Sequence, residues 1–335
     1  MTQAELATEL EVRLREDVHR WRPGAELAAL EPLTGGASSL TFVASVTGAE
    51  ADRVVVKVAP PGLAPVRNRD VLRQARLMRA LHGTGVRVPR VLFEDGGQPP
   101  AVPPYLAMDL LPGQCVEPVL EPVATRPAPE EVRSRYLEAT RELARLHALR
   151  PESIGLGDEP VVSLEDEIER WVRAFATVPE GLQAGHGDAA RLLLDSLPDA
   201  LPAVISHGDY RLGNLLCRGA DIEAVIDWEI WSVTDPRIDV TWLTFFTDEA
   251  AHPAAEPGEP AGTPTKAEVI ACYEEAAGAE LPDMLWFDAL TKFKEAAATA
   301  LLLKRGLRGG PLSPPMERMV NGVPRLLSEV REALG

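Results

Sequence analysis

Two short apolar segments in the middle of the sequence each lead into oxygen-bearing side chains. Residues 203–206 precede Asp209 and Asn214, and residues 223–226 precede Asp227. Phosphoryl transfer needs a carboxylate that orients or deprotonates the attacking hydroxyl, together with oxygen ligands for Mg²⁺. The pattern therefore predicts that these three side chains lie at the ends of short strands and serve phosphoryl transfer.

The spacing within this region supports the same chemistry. Four residues separate Asp209 from Asn214, which is the Asp-x-x-x-x-Asn spacing of a kinase catalytic loop. A second His-Gly-Asp stands at residues 186–188, but Leu193 occupies the position equivalent to Asn214 and no apolar strand ending in Asp follows. We interpret this second copy as a helix cap.

The elements that must position these side chains begin with a β-rich segment. After an amphipathic N-terminal helix, residues 28–58 contain three short β-branched segments separated by glycine turns. A helix over residues 67–81 and two further strands, VPRVLFED and YLAMDLL, follow. Five strands with one inserted helix predict a small antiparallel α+β lobe that Pro112-Gly113 closes.

The rest of the chain is predicted to be mainly helical apart from residues 203–227. Ser163, with Asp166 three residues later, is typical of a capped helix start. The expected helices cover residues 128–149, 164–177, 236–246, 266–277 and 281 to the C-terminus, with a break at 306–315. The fold class is thus α+β, with a small N-terminal sheet lobe and a larger helical C-terminal lobe.

The motif HGDYRLGN at residues 207–214, followed by IDWE from residue 226, resembles the aminoglycoside phosphotransferase-like family of kinases. Three further segments are similar to family motifs: GGASSLTF at 35–42 to the nucleotide loop, VKV at 56–58 to the phosphate-binding lysine strand, and LARLH at 143–147 to the helix before the catalytic region. The exact sequences of HGDYRLGN and IDWE, together with the later TDPRIDV, are most similar to the branch of kinase-like domains associated with acyl-CoA dehydrogenases.

This resemblance implies a protein-kinase-like two-lobe fold, with Asp209 as catalytic base and Asn214 and Asp227 as Mg²⁺ ligands. It implies lobe boundaries at 1–108 for nucleotide binding, 109–113 for the hinge and 114–335 for catalysis and substrate binding. Asp239 resembles a buried aspartate that braces the catalytic loop. The nucleotide contacts implied are Gly35, Gly36, Ser38 and Ser39 in the loop, Lys57 on the α- and β-phosphates, and the backbone of Ala107, Met108, Asp109 and Leu110 around adenine.

Some of these residues have simpler interpretations when taken alone. A Gly-Gly pair usually makes a hairpin turn, and a strand lysine such as Lys57 is often a surface residue. Their order along the chain favours the nucleotide roles. Arg211 is interpreted as a solvated loop arginine. The tryptophans Trp228, Trp231 and Trp242 are interpreted as core residues.

The sequence departs from the family at the partner of the lysine. Where the family has a glutamate, the helix over residues 67–81 presents Gln74. A neutral amide can accept a hydrogen bond from Lys57 but provides no ion pair, so nucleotide affinity or activity is expected to be lower. Asp70, one turn earlier, is the alternative partner if the helix register differs.

Bulk composition excludes some partners. The chain has 51 acidic and 34 basic residues and a formal charge of −17, which repels nucleic acid and anionic membranes. This charge suits either a cationic substrate or simply a solvated surface. The three cysteines form no CxxC pair, and the N-terminus has no signal-peptide pattern. We expect a cytoplasmic protein, and the oligomeric state is open.

Two functional hypotheses follow from the sequence. The first is a small-molecule kinase that uses Mg²⁺ and ATP or GTP to phosphorylate a hydroxyl on a metabolite such as a hydroxyacyl-CoA, or on an aminoglycoside or macrolide antibiotic. The second is a catalytically impaired nucleotide-binding scaffold, which Gln74 favours and the intact trio of Asp209, Asn214 and Asp227 opposes. A protein kinase is disfavoured because only residues 229–234 separate IDW from the next Asp-Pro.

Overall fold

The computed structural model describes residues 3–33, 39–48, 53–183, 185–309, 312 and 314–335. The chain divides into two compact units. The first comprises Met1–Gly113 together with Glu223–Ile230, and the second comprises Gln114–Ile222 and Trp231–Gly335. The segment that carries Asp227 therefore belongs to the first unit although it follows much of the second unit in sequence. The hinge and lobe functions proposed for these parts stay predictions.

The first unit is built on a five-stranded antiparallel sheet in which the strands follow chain order, except that the fifth lies between the third and the fourth. The predicted five strands with one inserted helix are confirmed in this unit. The elements are α1 (Gln3–Trp21), β1 (Glu26–Leu33), β2 (Leu40–Thr47), β3 (Arg53–Val58), α2 (Val71–Leu81), β4 (Val91–Asp95) and β5 (Tyr105–Asp109).

Alternation along β3 determines which side chains this sheet presents on each face. Val54, Val56 and Val58 are fully buried in a core shared with α1 leucines such as Leu10. Because successive side chains of a strand point to opposite faces, Lys57 lies on the face away from α1. The valine pattern therefore fixes the direction of the lysine.

The second unit is mainly helical. Apolar side chains from the five helices that begin at Leu164, His186, Arg237, Met284 and Pro314 form one of its hydrophobic cores. The strand Val204–Ser206 pairs antiparallel with the strand Ser232–Thr234. The strand β8 crosses the boundary between the units. The elements are α3 (Pro129–His147), α4 (Leu164–Phe175), α5 (His186–Asp195), β6 (Val204–Ser206), β7 (Leu215–Arg218), β8 (Asp221–Val225), β9 (Ser232–Thr234), α6 (Arg237–Thr244), α7 (Lys266–Ala277), α8 (Met284–Gly309) and α9 (Pro314–Leu334).

Helix boundaries follow the capping residues in the sequence. Ser163 and Asp166 form a reciprocal capping box at the start of α4, as predicted, and Thr265 starts α7 in the same way. Gly278 ends α7 in a left-handed conformation. The predicted break in the C-terminal helix is narrower than expected, because α8 continues to Gly309 and α9 begins at Pro314. Among the described residues, no helix is both long and apolar enough to span a bilayer.

A buried ion pair connects α6 to the loops around it. The Arg237 guanidinium, fully excluded from solvent, binds both carboxylate oxygens of Asp235 at 2.9 and 2.8 Å. It also donates to the backbone carbonyls of Pro282 at 3.0 Å and Asp199 at 2.7 Å. Removing one partner of a buried pair leaves an uncompensated charge, which costs far more than the loss of an exposed pair.

We therefore expect Arg237→Met to lower the free energy of unfolding by about 3–5 kcal/mol. Arg173→Met is the matched control, because Arg173 pairs with Glu169 on the exposed surface of α4 and its loss should change stability by less than about 1 kcal/mol. Urea denaturation of both variants measures this difference. Equal losses in the two variants would contradict a structural role for the buried pair.

Candidate active site

The loop after β6 carries the predicted catalytic aspartate. His207 is fully buried, and Gly208 follows with φ +83°, a left-handed conformation that side chains resist. The glycine lets the chain turn sharply at the end of the strand. Asp209 leaves the turn with its side chain about one-quarter exposed.

A buried carboxylate on α6 holds this turn. Asp239 accepts hydrogen bonds from the backbone N–H of His207 at 2.7 Å and of Gly208 at 2.9 Å, and His147 Nε2 lies 3.3 Å from the same carboxylate. Tyr273 in turn contacts His147 Nδ1 at 2.7 Å. Burial alone would raise the pKa of Asp239, but these hydrogen bonds and the nearby histidines hold it below its usual range. Asp239 thus stays ionised and accepts from both amides.

The Asp209 carboxylate is held by donors from three directions. Trp242 on α6 donates its indole N–H to Oδ1 at 2.7 Å, and Arg211 Nε lies 3.3 Å from the same oxygen. Asn214 donates its amide N–H to Oδ2 and to the Asp209 carbonyl, both at 2.8 Å. The structure therefore brings Asp209 and Asn214 together as their spacing indicates. Since Asn214 uses its nitrogen for Asp209, its amide oxygen is the atom with the chemistry of a metal ligand.

Arg211 is not the solvated loop residue that the sequence indicated. It lies 3.6 Å from the carboxylate of Glu117, and its guanidinium stacks over the Phe246 ring, 5.4 Å from the ring centre. The prediction was wrong because Glu117 and Phe246, both far away in sequence, pack against the Arg211 side chain and leave it only 26% exposed. Burial and the carboxylates of Asp209 and Glu117 act in opposite directions on Arg211, and its pKa is raised on balance.

Glu117 is a functional candidate that the sequence reasoning missed. It is almost fully buried, and it accepts hydrogen bonds from the backbone N–H of Gly213 at 3.0 Å and from the hydroxyl of Tyr136 at 3.3 Å. Burial raises the pKa of Glu117 to about 7 despite the opposing effect of Arg211. No motif surrounds this residue, and only its long-range contacts reveal it.

In the first unit, Lys57 pairs with Asp227. The ammonium group lies 2.7 Å from Asp227 Oδ1, although 170 positions separate the residues in sequence. Asp227 has φ +63°, a conformation that is uncommon for non-glycine residues and concentrates at functional sites. The predicted phosphate-binding lysine and the predicted metal ligand therefore share one charged contact.

The α2 helix does not supply an acidic partner for the lysine. Asp70 is the N-cap of α2 and accepts from the Arg73 amide, so the alternative pairing of Asp70 with Lys57 was wrong. Gln74 is 2% exposed, and its Nε2 has no hydrogen-bond partner within the part of the chain that the structure describes. A buried amide without a partner is costly. The nucleotide role predicted for Gln74 stays a prediction.

The remaining nucleotide-site candidates are only partly described. Gly35, Gly36 and Ser38 lie outside the described residues, whereas Ser39 is buried immediately before β2.

The predicted adenine segment, residues 107–110, comprises the end of β5 and the residue after it, and β5 lies between β3 and β4 in the sheet. Ala107 is paired with residues on both sides, and Met108 likewise has partners on both neighbouring strands. Asp109 donates its amide N–H to the Arg90 carbonyl, and Leu110 is the first residue beyond the strand.

The second His-Gly-Asp forms the first turn of α5 and is not its cap, so it marks the start of a helix but the helix-cap interpretation was wrong. Asp188 is 64% exposed there and pairs with Arg191 on the next turn, while Gly185 occupies the N-cap position. Asp188 thus lies on the surface, whereas buried side chains such as Asp239 and Trp242 hold Asp209 and its turn. Its surface position makes Asp188 a matched control for substitutions at Asp209.

Comparison with known proteins assigns a family. The family model described as "Phosphotransferase enzyme family" matches residues 29–305. Acyl-CoA dehydrogenase family member 11 of Rattus norvegicus is 25% identical over 270 residues, which cover 76% of this chain but 34% of that protein. The chain thus spans about a third of that relative's length.

Two solved structures support the same fold. A candidate aminoglycoside phosphotransferase of Ralstonia eutropha JMP134 superimposes with a TM-score of 0.74 at 22% identity, with 98% of each chain covered. A thermostable mutant of aminoglycoside phosphotransferase APH(4)-Ia, in ternary complex with ADP and hygromycin B, gives a TM-score of 0.61 at 17% identity and covers 98% of this chain and 99% of that one. The fold is therefore the predicted protein-kinase-like α+β fold.

The raised pKa of Glu117 makes a pH-dependent contribution to stability. Its folded pKa of about 7 exceeds the reference value of 4.5, so folding favours the protonated form. This contribution is present below about pH 4.5 and is lost as pH rises towards 7. In the unchanged protein, Glu117 should make the free energy of unfolding fall by up to about 3 kcal/mol over that pH range. We expect Glu117→Gln to lack this part of the fall. Urea denaturation at pH 5 and pH 7.5 tests this, and parallel profiles for both proteins would contradict it.

Proposed function

Because the chain belongs to the phosphotransferase enzyme family, we propose that it transfers the γ-phosphoryl group of ATP to a hydroxyl of a small molecule. Family membership places the chain among the small-molecule kinases. The observation that carries the specific proposal is the Asp209 carboxylate, hydrogen-bonded to Asn214 on a turn whose backbone Asp239 holds. A rigidly held carboxylate beside a metal-ligand amide is what phosphoryl transfer to a hydroxyl requires.

Asp209 is proposed to orient the acceptor hydroxyl and take its proton. The hydroxyl oxygen forms a bond to the γ-phosphorus, and the bond from that phosphorus to the bridging oxygen of ADP breaks. The proton passes to the carboxylate of Asp209. Positioning rather than covalent chemistry accounts for most of the rate in such reactions, which suits a base held by several donors.

Mg²⁺ fits the residues proposed to hold it. Asn214 offers an amide oxygen and Asp227 a carboxylate that is 40% exposed, and both are hard oxygen donors. Within the described ranges, no cluster of three or more His, Cys, Asp or Glu side chains forms a metal site. A site with two protein ligands completed by phosphate oxygens is typical of Mg²⁺ in kinases. When bound, the ion would neutralise charge on the transferring phosphoryl group.

Lys57 is proposed to bind the α- and β-phosphates, with Ser39 and the preceding glycine loop at the phosphates and residues 107–110 at adenine. The contact of Lys57 with Asp227 supports this proposal because it shows the ammonium group beside a proposed metal ligand. ATP is favoured as donor since APH(4)-Ia has been solved with ADP.

For the acceptor, we favour a metabolite such as a hydroxyacyl-CoA over an antibiotic. The likeness to acyl-CoA dehydrogenase family member 11 covers 76% of this chain. That relative carries a long region that this chain does not match, so its activity does not transfer directly. Hygromycin B, bound by APH(4)-Ia, represents the antibiotic alternative.

The second candidate function is a nucleotide-binding scaffold without turnover. Gln74 favours it, because α2 contains no carboxylate to balance Lys57 and the Nε2 of Gln74 has no partner among the described residues. The hydrogen-bonded pair of Asp209 and Asn214 favours the enzyme.

An assay across a panel of acceptor molecules separates the two functions. Nucleoside-diphosphate release is measured with Mg²⁺ and ATP, and with GTP for comparison, across hydroxyacyl-CoA thioesters, aminoglycosides, macrolides and amino alcohols. We expect acceptor-dependent release that falls at least about 1,000-fold in Asp209→Asn, because the amide cannot take the proton. Asp188→Asn, the same change in the second His-Gly-Asp, should leave release unchanged. Magnesium-nucleotide binding without release for any acceptor would support the scaffold.

Gln74 allows a test of nucleotide binding that needs no acceptor. Gln74→Leu removes a buried amide whose Nε2 has no partner among the described residues, so we expect the free energy of unfolding to rise by about 1 kcal/mol. If the amide donates to bound nucleotide, the same variant should bind Mg-ATP several-fold more weakly. Thermal unfolding with and without Mg-ATP measures both effects. Unchanged affinity in the stabilised variant would remove Gln74 from the nucleotide site.

A further inference from the structure

Two buried side chains of the second unit contact the catalytic loop without a place in the proposed reaction. Trp242 lies on α6 and Lys294 on α8, and they are 5% and 3% exposed. The sequence indicated Trp242 as a core residue, which its burial confirms. Its polar atom nevertheless donates to Asp209, and a lysine ammonium lies against its ring.

Trp242 controls the direction of the Asp209 carboxylate. The indole has a single N–H at a fixed angle to a rigid ring, and this N–H is 2.7 Å from Oδ1. Stacking against Phe245 and edge contact with Phe246 hold the ring itself. Arg211 also reaches Oδ1, but at 3.3 Å and from a flexible side chain shared with Glu117. The indole is therefore the more exact constraint on that oxygen.

Lys294 holds both the ring and the turn. Its Nζ lies 3.9 Å from the centre of the Trp242 ring and donates to the Gly208 carbonyl. Asp239 accepts from the Gly208 N–H, so this peptide group is held on its donor and its acceptor sides. Asp239 and Trp242 are three residues apart on α6 and thus share a face of that helix. One helix face binds both the backbone of the turn and the carboxylate that follows it.

Burial of Lys294 is unfavourable on its own. An ammonium group removed from water costs several kcal/mol unless charges and hydrogen bonds compensate it. Burial lowers its pKa, and the carboxylates of Glu167, Asp209 and Asp239 oppose that effect. A methionine of similar length would fill the space without this cost. A functional role beside the loop accounts for the ammonium better than packing does.

We propose that Trp242 and Lys294 are positioning residues for the phosphoryl transfer reaction: Trp242 fixes the direction of the Asp209 carboxylate, and Lys294 fixes the Trp242 ring and the Gly208 peptide. This inference rests on the proposed function, because it assigns Asp209 the role of base. It adds two residues from α6 and α8 that no spacing or motif in the catalytic region indicates.

Steady-state kinetics with the acceptor found in the panel test the catalytic consequence. Trp242→Phe keeps an aromatic ring but removes the N–H, and we expect kcat to fall about 10- to 100-fold. The KM for ATP should change less than about twofold, because the proposed phosphate contacts lie in the first unit. Trp286→Phe is the matched control: this tryptophan is equally buried at 5%, and its N–H donates to the Leu193 carbonyl instead of to Asp209.

Lys294→Met should also lower kcat with little change in the KM for ATP. Lys292→Met is its control, since Lys292 lies two positions away on α8 and pairs with Glu329. Far-ultraviolet circular dichroism and thermal unfolding show whether each variant is folded. Folded Trp242→Phe and Lys294→Met variants with the kcat of their controls would overturn the positioning role, while loss of release in Asp209→Asn would still support the kinase.

A spectroscopic readout tests the contact even if no acceptor is found. Uniform ¹⁵N labelling resolves the indole N–H signals of the six tryptophans, and Trp242→Phe assigns one of them. A hydrogen bond to a carboxylate moves the indole proton downfield, so Asp209→Ala should move the Trp242 signal upfield and leave that of Trp286 in place. An unmoved Trp242 signal would overturn the inference independently of the proposed function.

Discussion

The conformation of the proposed catalytic loop depends on the hydrogen bonds that the Asp239 carboxylate accepts. A fully buried charge is tolerated only when hydrogen bonds satisfy it, and the N–H groups of His207 and Gly208 provide two of them. The turn that delivers Asp209 is therefore fixed by the same bonds that make the buried charge tolerable. His147 on α3 adds a third contact to this carboxylate, so two helices determine the position of the turn.

In the first unit, the charge that needs a partner is that of Lys57. The β3 strand buries three valines on one face and leaves Lys57 on the other, where Asp227 satisfies its charge. Asp227 adopts a left-handed backbone conformation to reach this position. Strain of this kind persists only where the surrounding structure enforces it, and it commonly marks functional residues. The contact with Asp227 thus gives Lys57 a carboxylate partner although α2 offers no glutamate.

Local patterns predicted much of the fold. The helix α7 has the predicted bounds, Lys266–Ala277, because a Thr cap and a terminal glycine mark its ends in the sequence. The proximity of Asp209 and Asn214 also follows from local spacing, since both lie on one short loop. Hydrophobic periodicity also predicted the antiparallel sheet of the first unit and the helices of the second.

Local sequence patterns did not predict the contacts between segments that are distant in sequence. Trp242 and Lys294 reach the loop from 33 and 86 positions away, and nothing in their local sequence distinguishes them from core residues. Glu117 likewise lies far from the loop in sequence, and its contact with Arg211 helps to leave that arginine partly buried where a solvated side chain was expected. The N-cap role of Asp70 was missed because the helix begins at Val71 rather than at residue 67. These side chains depend on packing geometry, which periodicity does not report.

The most direct test of the central claim is ³¹P nuclear magnetic resonance of the reaction with Mg-ATP and a hydroxylated acceptor. Transfer of the γ-phosphoryl group to a hydroxyl predicts a new phosphomonoester signal that grows in equal amount with ADP and is absent with Asp209→Asn. Inorganic phosphate growing in equal amount with ADP, without a phosphomonoester, would contradict the account, because water rather than a held hydroxyl would then be the acceptor.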